Sequence, residues 1–156
     1  MNVIGLDPGL NHTGWGILSI EKDIKLVGNG VIKTNNKETP GQRLNKIHKE
    51  LINILNSYQI NSASMEEVFI NKNPRSSISL CYARGVLLLT LNTMNIQVFE
   101  YSSNYVKKSI TGNGHAKKEQ VHFMVEKILN VEFKGTYDIS DAIAVALCHA
   151  YSKNNF

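Results

Sequence analysis

Two short apolar runs in this chain each end in an acid, and a long apolar helical stretch opens with two more. Asp7 closes the run VIGLD. Glu66, followed by Glu67, closes the ASME of the sixties. Asp138 and Asp141 stand three apart at the start of YDISDAIAVALCHA. A carboxylate at the end of a buried strand, or at a helix start packed on a sheet, is costly to desolvate unless something compensates its charge. Any fold for this chain must therefore bury the runs and still supply a partner for their acidic ends.

The 156 residues suit one domain, 1–156, with a substantial core. Hydrophobic residues make up 42% and charged residues 19%, an ordinary balance for a globule. No run reaches the roughly 20 apolar residues of a membrane span. The N-terminal MNVIGLDPG has no signal-peptide pattern and reads as a first strand, so the cytoplasm is the expected compartment. The net charge of +4 permits a polyanionic partner without demanding one. Cys81 and Cys148 fit no zinc spacing and are expected as small buried hydrophobes.

Residues 2–7 read as a buried strand stopped by Pro8-Gly9. Gly14 to Ile20 and Leu26 to Lys33 follow as strands two and three, joined through a short polar EKD. Thr39-Pro40 opens a helix with Leu44, Ile47, Leu51, Ile52 and Leu55 on its apolar face. Ser64 to Phe69 is predicted as strand four, Ser76 to Asn92 as a helix, and Gln97 to Tyr101 as strand five. A short basic helical stretch around Val106-Lys107-Lys108 precedes the loop TGNGHA. Helices over Lys117 to Leu129 and Tyr137 to Ser152 complete the chain. The order βββαβαβαα gives an α/β fold, a mixed five-stranded sheet flanked by helices. Three antiparallel strands followed by βα units are the pattern of the ribonuclease H-like fold.

Magnesium is the expected partner of the acids. It is a hard cation held by a few carboxylates plus substrate phosphate. Two such ions can activate a water and stabilise the leaving oxygen of a phosphodiester. Asp7 alone is weak support, because Asp-Pro-Gly is also turn chemistry. Actin-like ATPases place an Asp-x-Gly after strand one too, but they need further glycine-rich phosphate loops, and the chain shows none. Glu66 and Glu67 point to opposite faces of a strand, and parity does not choose between them. Asp138 and Asp141 share a helical face. Acids in a first turn also favour the helix dipole, but the apolar turns that follow Asp141 place this end against the sheet.

Lys107, Lys108, Lys117 and Lys118 flank the Gly112–Gly114 loop, where a lysine could offset charge on a phosphate. For Lys108 and Lys117 a solvated face is the simpler reading. Lys72 and Arg75 are candidates for phosphate contacts. Phe69 is a candidate to stack on an unpaired base, or else a core residue. Arg84 is either structural or serves a helix or subunit contact. Trp15 and Tyr105 are expected to pack. His12, His115 and His122 share no metal-like spacing.

The stretches GLDPGLNHTGWGIL, MEEVFINKN, ARGVLLL, VFEY, VKKSITGNGHAKKEQVHFMV and DISDAIAVALCHA, in this order, resemble the RuvC family of bacterial crossover junction endodeoxyribonucleases. The resemblance covers nearly the whole chain. It implies that the metal-binding catalytic acids are Asp7, Glu66, Asp138 and Asp141, and so selects Glu66 over Glu67. It implies that the important lysines are Lys107 and Lys118, and that Phe69 stacks on the junction. DNA-contacting candidates are thus Phe69, Lys72, Arg75, Lys107, Lys108 and Lys118. Two Mg²⁺ ions per subunit are implied, with Mn²⁺ a candidate to replace them. The resemblance further implies a homodimer that resolves four-way Holliday junctions by paired symmetric nicks in recombination and repair. Such an enzyme works with a branch-migration helicase complex. The helix from Ser76 to Asn92, with Leu80, Ala83, Leu87 and Leu91 on one side, is the candidate for part of the dimer contact, or else this side simply packs in the core.

Overall fold

The computed structural model describes residues 1–68, 74–133 and 137–153, and side chains there except at 74–76. Among them are five strands and five helices: β1 Asn2–Asp7, β2 His12–Ile20, β3 Ile24–Lys33, α1 Pro40–Ser57, β4 Ser62–Glu66, α2 Pro74–Thr93, β5 Gln97–Tyr101, α3 Ser103–Thr111, α4 Lys118–Leu129 and α5 Asp138–Lys153. The strands form one sheet in the order β3-β2-β1-β4-β5. β1, β2 and β3 pair antiparallel, whereas β4 lies parallel to both β1 and β5. This is the ribonuclease H-like arrangement expected from the element order. The expected order counted one helix too few. The basic stretch is the full helix α3, capped by Ser102 and ended by Gly112 at φ +76°.

β1 lies at the centre of the sheet, which explains its unalternating apolar run. Val3 faces α5, while Ile4 and Leu6 face α1 and α2. The sheet thus divides two cores. On one side Val3, Leu18, Val121, Val125, Ile143 and Leu147 pack together. On the other, Ile4, Leu6, Ile17, Leu51, Leu87 and Leu91 do so. Burying a side chain of this size contributes about 1.5–3 kcal/mol. β3, at the edge, alternates between half-buried and exposed residues over most of its length.

α1 starts where Thr39 and Gln42 cap one another's backbone N–H, with Pro40 in the first turn. Ile47, Leu51 and Leu55 carry its buried stripe. α5 lies almost on the backbone of β1 and β2. A Cβ on Gly5 would stand 1.9 Å from the Ala142 carbonyl oxygen, and one on Gly16 would stand 2.3 Å from Ile143 Cγ1. Glycine is needed at these positions for close approach.

Three expectations change. Strand four ends at Glu66 and does not reach Phe69 as a described strand residue. Cys148 is buried as expected, but Cys81 is exposed. On α2, Ala83, Leu87 and Leu91 are fully buried in the core and are not a subunit face. The exposed side of that helix instead carries Ile78, Tyr82 and Leu89, at 49%, 52% and 63% exposure.

Candidate active site

The parallel register of β1 and β4 pairs Leu6 with Met65 and so sets Asp7 beside Glu66 at the carboxyl ends of neighbouring strands. Open α/β sheets commonly bind ligands at such strand ends. The register also separates Glu66 from Glu67. Gly5 pairs with Ser64 and Val3 with Ser62, and Ser62 Oγ meets His149 Nε2 of α5 at 3.2 Å. By alternation, Asp7 and Glu66 therefore point to the α5 side. The charge of Glu67 instead acts on Arg84 of α2.

α5 supplies the remaining acids. The Asp141 N–H donates to the Tyr137 carbonyl at 2.8 Å, starting the helix. Asp141 then faces Asp7 and Glu66 across a cavity of about 480 Å³, which Lys107 and Lys118 also line. Asp138, one turn earlier, is not on the cavity wall, but its charge acts on Asp7, Asp141 and Lys118.

Burial and crowding disturb Asp7, Glu66 and Asp141. Asp7 is pushed up to about 7 by burial first and then by the neighbouring Asp141, with Lys118 opposing and Asp138 and Glu66 adding to the rise. Burial also raises Glu66. A hydrogen bond from Ser103 and the charges of Lys107 and Lys118 oppose that rise, while Asp141 adds to it. Asp141 is raised by burial against the pull of Lys118. Lys118 Nζ lies 2.6 Å from Asp141 Oδ2 and 5.4 Å from the centre of the Tyr137 ring. Burial disfavours its charge, but the hydrogen bond it donates to Asp141 and the acids around it outweigh that and raise its pKa.

Among the described residues, no group of three or more His, Cys, Asp and Glu side chains is arranged to hold a metal ion as placed. Lys118 takes one oxygen of Asp141, where a cation would compete with it. The donor chemistry nonetheless fits a hard divalent ion. The acids offer only oxygen, and their mutual repulsion, visible in the raised Asp7, is relieved by positive charge among them.

Residues 3–149 match the model of the family described as Crossover junction endodeoxyribonuclease RuvC. The chain belongs to this family. A RuvC of Ehrlichia canis (strain Jake) is 99% identical over all of both chains. One of Ehrlichia chaffeensis (strain ATCC CRL-10679 / Arkansas) is 73% identical, again over the full length of both. The structure of Thermus thermophilus RuvC in complex with Holliday junction substrate has a TM-score of 0.91 and 29% identity. That match covers 98% of this chain and 94% of that one.

Within this RuvC chain, the structure gathers Asp7, Glu66, Asp141, Lys107 and Lys118 around one cavity. Lys108 is exposed and off its wall. Phe69 and Lys72 lie outside the described residues, as does the Arg75 side chain. Trp15 packs near Tyr58 with ring centres 6.4 Å apart. Tyr105 is about half exposed, stacked on Tyr101 at 5.9 Å. Sequence reasoning passed over Ser103, which stands one helical turn before Lys107, a spacing that could have revealed it. It also passed over His149, fully buried between Ser62 and Tyr101 Oη, the latter 2.6 Å from its Nδ1. Burial, with a contribution from Lys153, lowers His149 to about 4, so it is a neutral tie between α5 and the sheet.

Proposed function

We propose that this chain is a divalent-metal-dependent nuclease that resolves four-way junctions by paired symmetric nicks, with residues 1–156 acting as one nuclease domain. Family membership makes it a crossover junction endodeoxyribonuclease, acting on Holliday junctions in recombination and repair. The observation that carries the mechanism is the convergence of Asp7, Glu66 and Asp141 on a cavity that also holds Lys107 and Lys118.

Asp7, Glu66, Asp141 and Asp138 would hold two Mg²⁺ ions, and Mn²⁺ suits the same oxygen donors. When bound, the ions make a water acidic and neutralise charge on the leaving 3′-oxygen. Asp7 must be ionised to serve as a ligand, and its raised pKa places that ionisation close to neutrality. With a cation bound at Asp141, Lys118 would be available to offset charge on the scissile phosphate. Its half-exposed side chain leaves it free to do so. Lys107, which lines the same cavity, offsets phosphate charge or orients the water. A water oxygen bonds to phosphorus as the P–O3′ bond breaks, leaving a 5′-phosphate, and the departing oxygen takes up a proton to become a 3′-hydroxyl. Phe69 stacks on an opened base, and Lys72, Arg75 and Lys108 contact the backbone.

Resolution needs two cuts, so two sites must act together. A homodimer with twofold symmetry matches the symmetry of the junction. The exposed face of α2, with Ile78, Tyr82 and Leu89, supports such a contact. A branch-migration helicase complex is the working partner. Among the described residues, no helix is long and apolar enough to cross a membrane. The cytoplasm, where the DNA lies, is the proposed compartment.

The deciding experiment is a gel assay on a synthetic mobile four-way junction with Mg²⁺ or EDTA, beside linear duplex and an RNA/DNA hybrid. Metal-dependent paired nicks confined to the junction are the expected result. A shifted but uncut junction would indicate a binding module, and cleavage of the hybrid alone would indicate a ribonuclease H.

A further inference from the structure

β4 stops at Glu66, so the direction of that residue depends on what holds its backbone. Glu67 N–H donates to the Tyr101 carbonyl of β5 at 2.9 Å. The Glu66 carbonyl is taken by Arg84 of α2, whose Nη1 donates to it at 2.8 Å. Nη2 of the same guanidinium donates to Glu100 Oε1 on β5. The Arg84 side chain is only 11% exposed. Met65 pairs with Glu100 and Glu66 with Tyr101, so Glu100 points to the α2 face while Glu66 points to the α5 face. One guanidinium thus bridges the ends of two strands from one side of the sheet, while the carboxylate between them works on the other. A planar fork with five donors can reach both acceptors, and a lysine ammonium cannot match that geometry.

We propose that Arg84 is a positioning residue for Glu66, fixing the carbonyl at the end of β4 so that the carboxylate stays aimed at the cation site. The proposal rests on the reading of Glu66 as a metal ligand. Partners of this indirect kind typically change metal affinity or activity by about 10- to 100-fold. Arg84 does not line the cavity and its guanidinium is taken by the Glu66 carbonyl and Glu100, so its removal should leave junction binding alone.

The test uses the full chain carrying R84M, R84K, R84Q, E100Q or E66Q. Mg²⁺ binding is measured calorimetrically without DNA, and the Mg²⁺ midpoint of cleavage is measured on a synthetic junction. Junction affinity in EDTA and thermal melting are followed in parallel. R84M is expected to bind the junction like wild type while both Mg²⁺ readouts weaken about 10- to 100-fold. R84K should recover part of the loss, because one ammonium can serve the Glu66 carbonyl alone. E100Q should shift less than R84M, because the bond to that carbonyl survives. Wild-type Mg²⁺ binding in R84M overturns the proposal if E66Q is inactive. If R84M does not fold, wild-type Mg²⁺ binding in R84Q overturns it equally. A lowered melting point with unchanged Mg²⁺ binding would make Arg84 merely structural and would also overturn it. If E66Q itself binds Mg²⁺ and cleaves normally, the reading of Glu66 has failed instead.

Discussion

The carbonyl oxygen of Asp138 lies against the backbone of Gly14, so close that a Cβ on Gly14 would stand 2.0 Å from it. Gly14 is also the register partner of Asp7. One pair of residues therefore sets the height of α5 above the strand that carries the first acid. Gly14→Ala should push the start of α5 outward and lower cleavage at least about tenfold, with a stability loss of roughly 1–3 kcal/mol. Gly5→Ala presses on the middle of the same helix and should cost more stability. Single-turnover cleavage and urea unfolding of the two variants check this.

Lys118 is the cation that Asp141 holds when no metal is supplied. Lys118→Met should reduce the cleavage rate by about 10²–10³, the usual loss for one charge-stabilising donor. Junction affinity in EDTA should fall much less. A rate within twofold of wild type would remove Lys118 from the chemistry.

The raised Asp7 predicts a pH effect of definite sign. Its folded pKa of about 7 exceeds the ordinary aspartate value of 3.8. Between those values the folded protein keeps a proton that the unfolded chain gives up, so metal-free stability falls as pH rises and the loss is complete above about pH 7. Asp7→Asn should abolish this dependence and stabilise the metal-free protein by roughly 1–4 kcal/mol at pH 8. It should still bind junctions but not cut them. Mg²⁺ affinity of the wild type should rise from pH 6 to pH 8 as the proton leaves. Thermal melts in EDTA and calorimetry across pH read both effects.

Leu89→Glu or Tyr82→Glu should convert the proposed dimer to a monomer without unfolding it, because both side chains are exposed. Sedimentation with far-ultraviolet dichroism tests this. Nicks made by such a monomer should lose their pairing.

The sheet was legible because VIGL in β1 does not alternate, as a strand buried on both faces need not. The choice between Glu66 and Glu67 was not legible, for the same physical reason. All of Ser62, Ala63, Ser64 and Met65 are buried, so β4 carries no inside-outside pattern, and only pairing with β1 gives its phase. On α2, apolar residues occur all round the helix. The core claims Ala83, Leu87 and Leu91, while Ile78, Tyr82 and Leu89 stay outside, and sequence spacing alone could not rank the two stripes. α3 was read as shorter than it is, since only Val106 and Ile110 of its nine residues are buried. The pairing of Lys118 with Asp141, and that of Arg84 with the Glu66 carbonyl, joins residues on separate elements and leaves no trace in local pattern.

The wall of the site joins the first strand to the last helix, with β4, α3 and α4 between them in the chain. During synthesis on the ribosome, Asp7 emerges long before Asp141 exists. Contacts of such wide sequence separation form late, after loop closure has been paid for. A half-made chain carries Asp7 and Glu66 but neither Asp138 nor Asp141. The topology thus withholds the assembled acidic cavity until α5 has been made and packed against the sheet.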